Sequence, residues 1–385
     1  MAREKLEAVS IVYAPRSRRL FLKGSAGLLG MASLGGILQA CGAAASPSPP
    51  PAGTPTVAPT AGDPTAAASP TAIPVSTVDF QIRWLKEVSF GGWFAGIENG
   101  YFRDEGIDLN VIAGGPNLDV QQIIAGGNIP IGEGITDRIL LGRVEQNVPF
   151  KIIGALYQRS PASFMSFAEK NIATPADMVG KRIATTAEGR PLVEALFQNA
   201  GLPPTDWTFV PSGFDPSPIV NDEADLFHGF RTGQGNLLEL QGESMNYVTY
   251  DQFDFPVYDA PIFVLEDTLA EQEDLLVRWM RASIKGWEYA VANPEEVSEL
   301  TVSKYGHEGI DPAVSENEAK LQIDDIVSPD TDQRGLFTMT EERWQTVLDF
   351  FVAAGTLTNE VPASDIMTTA IQEQAMGGMS SLLEG

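Results

Sequence analysis

The chain has 385 residues, with 25 Lys and Arg set against 51 Asp and Glu. Such an acidic excess excludes nucleic acid and an anionic membrane surface as charge-driven partners. A lone cysteine, Cys41, excludes internal disulfides and a cysteine-based metal site.

The first stretch reads as an address. Arg16 to Lys23, R-S-R-R-L-F-L-K, contains the twin-arginine export pattern S-R-R-x-F-L-K, and a Gly/Ala-rich apolar run follows to Ala40. That run is too short and small-sided for a comfortable membrane span. It ends in Leu38-Gln39-Ala40-Cys41, which fits a lipobox at Leu38, Ala40 and Cys41. Residues 1–40 are therefore expected to be a twin-arginine lipoprotein signal, with Cys41 lipidated. Residues 41–76 collapse to Pro, Ala, Ser, Thr and Gly, with Asp63 the only charge. They bury too little apolar area to offset the entropy of ordering and should act as a disordered tether.

Beyond the tether the pattern alternates. Phe80–Leu85 is expected as a strand and Gly91–Arg103 as a helix. Then come Leu109–Ala113 (strand), Val120–Ala125 (helix), Ile129–Gly132 (strand), Arg138–Gln146 (helix) and Phe150–Tyr157 (strand). The rhythm restarts with Arg182–Thr185 (strand), Arg190–Ala200 (helix), and strands at Thr208–Val210, Asp225–Phe230 and Pro261–Leu265. Glu271–Asn293 carries Leu275, Leu276, Trp279, Met280, Ile284 and Trp287 at helical spacing, and Glu342–Ala354 repeats this with Trp344, Val347, Leu348 and Phe351. These aromatics read as core. The expected architecture is α/β: two lobes, each a mostly parallel sheet flanked by helices. Residues 77–168 with 260–385 should form lobe 1 and 169–259 lobe 2, with crossings near Phe167–Thr174 and Phe255–Ala260. A ligand should sit in the cleft between them, beyond the strand ends.

Three runs carry a resemblance. Gly96-Ile97-Glu98-Asn99-Gly100-Tyr101-Phe102 with Glu105-Gly106-Ile107-Asp108-Leu109 is the first. Gly180-Lys181-Arg182-Ile183 with Thr186-Ala187-Glu188-Gly189, and Gly286-Trp287-Glu288-Tyr289-Ala290 with Asn293-Pro294-Glu295-Glu296, are the others. In this order they resemble periplasmic solute-binding proteins related to the thiamine-pyrimidine-precursor and alkanesulfonate receptors, the NMT1/THI5-like family. The resemblance implies a type II periplasmic-binding-protein fold and a receptor that delivers a small molecule to the permease and ATPase of an ABC importer. It implies no cofactor. The yeast-type pyrimidine synthases that share this ancestry bring a Cys-rich motif and a reactive histidine. This chain has only Cys41, and its two histidines are His228, near a strand end facing the cleft, and His307, in a polar turn. That argues against an enzyme.

Strand ends supply the expected binding residues. Trp84 ends the first strand, and Phe90 and Trp93 follow it. In the pyrimidine-precursor receptors this loop reads W-x-P-N-x-x-H, but here Lys86-Glu87-Val88-Ser89-Phe90 replaces the Pro, Asn and His. Glu133, between two glycines, is suited to accept hydrogen bonds from hydroxyl or amino groups. Tyr157 and Gln158 end another strand. Thr186, Glu188 and Arg190 join a strand to a helix whose free N–H groups face the cleft, and Phe230 and Tyr258 complete an aromatic set. Aromatics on both lobes suit a flat heterocycle. A ligand of about 27 heavy atoms at roughly 0.3 kcal/mol each reaches micromolar binding without dedicated polar contacts. Riboflavin is the first choice of ligand. A thiamine pyrimidine precursor and a small anion such as a sulfonate or nitrate are the alternatives, and a lipid-anchored ligand sensor is the alternative role.

Overall fold

The computed structural model describes residues 74–115, 118–187 and 189–383. The twin-arginine run, Cys41, most of the tether and Glu188 lie outside the described residues. Two five-stranded sheets are flanked by helices. The first has the order β2-β1-β3-β10-β4, with β1 Ser76–Gln81, β2 Ile107–Ile112, β3 Ile131–Glu133, β4 Phe150–Tyr157 and β10 Asp259–Leu265. The second runs β7-β6-β8-β5-β9, with β5 Ala162–Phe167, β6 Arg182–Thr185, β7 Thr208–Pro211, β8 Leu226–Phe230 and β9 Met245–Thr249.

In each sheet two of the four strand pairings are parallel and two antiparallel, because one strand, β10 in the first and β5 in the second, runs against the other four. This is less parallel than the sequence rhythm suggests, for a topological reason. β4 leaves the first sheet as β10 returns to it, and β5 enters the second as β9 leaves it. Chain segments traversing one gap in opposite senses pair antiparallel. The first crossing also moves. β5 pairs with β8 and β9, so the chain passes between sheets at residues 158–161, around Pro161, not at Phe167–Thr174. Residues 162–168 thus belong with lobe 2. The return falls between β9 and β10, overlapping the expected Phe255–Ala260.

The expected helix Gly91–Arg103 is two helices, Gly91–Glu98 and Tyr101–Asp104, because Gly100 adopts a left-handed φ of 78° that interrupts the ladder. The long helix Glu273–Ala292 turns Trp279, Met280, Ile284 and Trp287 fully inward. It crosses Gly91–Glu98 at contact distance: a Cβ on Gly286 would lie 2.2 Å from the Gly92 carbonyl oxygen, so only glycine permits the approach. A second apolar cluster includes Phe150 and Ile152 of the first sheet, Phe164, Ile183 and Leu226 of the second, and Trp344 and Phe351 of the helix Glu341–Ala353.

Candidate functional site

The ends of β1, β3, β4, β6 and β8 and the start of β10 converge where the two sheets face each other. At the centre is Arg83, two residues past β1. Its guanidinium meets Glu133 Oε1 at 2.5 Å and Asp259 Oδ1 at 3.1 Å, while its main-chain N–H donates to Glu133 Oε2 at 3.0 Å. Glu133 is fully buried, and burial outweighs the neighbouring Arg83 to push its carboxyl up to about 7. Ser160, in the first crossing, donates to Asp259 Oδ2 at 2.6 Å. Asp259 also accepts from the N–H of Ala260, whose left-handed φ of 50° is strained for a side chain with a Cβ and marks the return crossing. One cation between two carboxylates offers no spare positive charge.

Aromatic groups close over this centre from the second lobe. The Arg83 guanidinium lies 5.5 Å from the Phe230 ring, and Trp84 meets Phe214 edge-on at 4.3 Å between centroids. Deeper in the second lobe, His228 contacts Thr185 Oγ1 at 3.0 Å and the Tyr250 hydroxyl at 2.7 Å, and it stacks on Phe164. Desolvation holds its imidazole down at about 4, so it is neutral at physiological pH. Tyr250 joins Thr136, Asp137, Ser160, Tyr258 and Asp259 around a cavity of about 60 Å³ beside the crossings. A cluster on the other flank ties the lobes together. Asp325, fully buried in the helix Ile323–Ile326, pairs with Arg231 of the second lobe and at 3.5 Å with Arg159 of the crossing. Asn317 donates to Asn236 Oδ1 at 2.6 Å, and Asn236 donates to the Val314 carbonyl at 2.9 Å.

Trp84, Glu133, Tyr157 and Phe230 are brought to this junction. Tyr157 is buried, and its hydroxyl donates to Gln322 Oε1 at 2.9 Å. Others go elsewhere. Phe90 and Trp93 sit in the first-lobe core, because the helix starting at Gly91 presses Trp93 onto Phe80, Trp279 and Trp287 and its Nε1 donates to Ser283. Gln158 spends its amide on the carbonyls of Ala155 and Thr338. Tyr258 lines the small cavity but is otherwise packed, with Arg343 3.9 Å over its ring and Trp344 beside it. Arg190 is exposed and paired with Glu194 at 2.8 Å. Thr186 caps its own turn by accepting from Gly189 N–H. His307, placed by the sequence in a polar turn, contacts Glu87 at 3.1 Å.

Arg83, Asp259, Phe214 and Asp325 escape sequence reasoning. Arg83 carried a usable signal, a lone cation just past an apolar strand. Asp259 and Asp325 are two among many acids.

Known proteins similar to this chain include binding proteins and, among them too, a pyrimidine phosphate synthase and a desulfurization enzyme. The chain is 23% identical over 303 residues to a formylaminopyrimidine-binding protein of Halalkalibacterium halodurans, covering 77% of this chain and 90% of that one. It is 25% identical over 330 residues to the riboflavin-binding protein RibY of Chloroflexus aurantiacus, covering 82% and 91%. The fold matches the periplasmic aliphatic sulphonate binding protein SsuA of Escherichia coli with a TM-score of 0.57 at 13% identity, covering 75% of this chain and 91% of that one. The family model described as NMT1/THI5 like matches residues 87–297, more than half of the chain, and the chain belongs to that family.

Proposed function

We propose that the protein is an exported, lipid-anchored solute-binding protein that captures a flat, uncharged heterocycle, riboflavin first, and delivers it to an ABC importer. The observation that carries this reading is the charge balance at the junction. Arg83 is already matched by Glu133 and Asp259. A sulfonate or nitrate needs uncompensated cations and meets carboxylates instead. Hydroxyl and N–H donors on a neutral ligand suit such acceptors. Trp84 and Phe214 face each other from opposite lobes. A ring sandwiched between them needs about 7 Å, two van der Waals separations, so the lobes open to admit it and close on it.

A pyrimidine precursor is the second reading, favoured by the small cavity at the crossings and by the formylaminopyrimidine-binding relative. Titration of soluble protein from about Val75 onward with riboflavin, a hydroxymethylpyrimidine, taurine and nitrate separates these readings. Quenched flavin fluorescence supports riboflavin. Tight binding of an anion, with neither heterocycle bound, overturns the proposal. Release of a Cys41→Ser variant from membranes tests the anchor; sedimentation with membranes despite the change refutes it.

A further inference from the structure

The helix Pro312–Leu321 carries one acid unlike its neighbours. Glu295 and Glu316 share Lys320 on the surface, whereas Glu318 is 8% exposed and its carboxyl has neither hydrogen bond nor ion pair among the described residues. Its carboxyl points at the second lobe. A Cβ built on Gly233, in the π-helical turn Arg231–Gly235 that follows β8, would sit 3.9 Å from Glu318 Oε1. That turn also presents Gln234, which accepts from Phe230 N–H and donates to the Phe214 carbonyl, so Glu318 faces the segment that holds the second-lobe aromatics Phe230 and Phe214. Buried carboxyls without partners are rare because the desolvation cost is not returned, and one held between two lobes awaits a partner that arrives with the ligand.

We propose that Glu318 reads the ligand: its carboxyl pairs with an edge of the heterocycle that presents an N–H beside an acceptor, as an imide or an aminopyrimidine does. This rests on the heterocycle reading above and adds which atoms are recognised. A neutral carboxylic acid is donor and acceptor side by side, the complement of that edge. Burial and the nearby Glu87 carboxylate both push the Glu318 carboxyl well above its usual range, which favours that neutral form. Glu87 is itself held by His307, and Tyr157 supplies a neutral phenol on the β4 side.

The test compares riboflavin with its analogue methylated at the imide nitrogen, titrated into the soluble protein and into Glu318→Gln and Glu318→Ala. The unsubstituted chain should reject the methylated ring by roughly ten- to a hundredfold. Glu318→Gln keeps donor and acceptor and should retain most of that discrimination. Glu318→Ala should bind both rings alike. A purely structural Glu318 would weaken both ligands equally in Glu318→Ala and leave the ratio intact, which overturns the inference. If the parent chain binds neither riboflavin nor a hydroxymethylpyrimidine, the heterocycle reading itself fails. If it binds riboflavin without discriminating the methyl group, only the role of Glu318 fails.

Discussion

Replacing Glu133 by Gln decides between burial and ion pairing at the heart of the junction. The carboxyl sits against Arg83, yet burial raises it from 4.5 to about 7. The unfolded chain releases this proton near 4.5, and the folded chain holds it until about 7. Folding therefore takes up a proton between those values, and the Glu133 contribution to stability falls as pH rises through that window. At about 1.4 kcal/mol per pH unit, the loss is about 3 kcal/mol by pH 8. Glutamine keeps an acceptor for the Arg83 N–H and cannot ionise. The variant should match the parent within about 1 kcal/mol at pH 4.5 and exceed it by up to about 3 kcal/mol at pH 8. Urea unfolding followed by the emission of the buried Trp93, Trp279, Trp287 and Trp344 measures the difference. Other shifted groups, such as His228 and Asp325, are common to both chains and cancel. A variant that loses ground to the parent as pH rises would show that the ion pair to Arg83 outweighs burial.

Two further outcomes follow from the geometry. Trp93→Ala should cost about 3–5 kcal/mol of stability while leaving ligand affinity of the folded fraction unchanged; an affinity loss without a stability loss would return Trp93 to the cleft. Asp325→Ala strips the buried partner from Arg231 and Arg159 and should weaken lobe-to-lobe contact by about 3 kcal/mol. The readouts are a larger radius of gyration in solution scattering and easier quenching of Trp84, and an unchanged radius would refute the latch.

The sequence pattern located most elements because their physics is local. Phe150–Tyr157 and Arg182–Thr185 are dense in residues that fit a buried strand, and the observed bounds coincide. Where contacts are long-range, the pattern was silent. Ala162–Phe167 follows β4 so closely that nothing local tells which sheet it joins; only its pairing with β8 and β9 does. The stretch 294–340 has weak periodicity and folds into short helices, two of which bring Glu318 and Asp325 to the second lobe. Trp93 and Trp84 look alike in sequence, nine residues apart. One lies in the first turn of a helix packed into the first-lobe core, and the other stays in the loop and reaches Phe214.

The apolar cluster shared by the two sheets has a consequence for how the molecule comes apart. Phe350 of the helix Glu341–Ala353 stacks on Phe255 of the return crossing at 4.0 Å, and Gln198 of the second lobe donates to the Ala353 carbonyl at 2.8 Å. The helix Glu341–Ala353 thus straps the second lobe from outside the hinge, and much of the second lobe's oily interior is completed by residues beyond it. An excised second lobe, residues 162–257, would leave Phe164, Phe197 and Leu226 without their outer cover and should aggregate instead of standing alone. Any chimera that borrows this lobe's specificity must therefore bring Glu341–Ala353 with it.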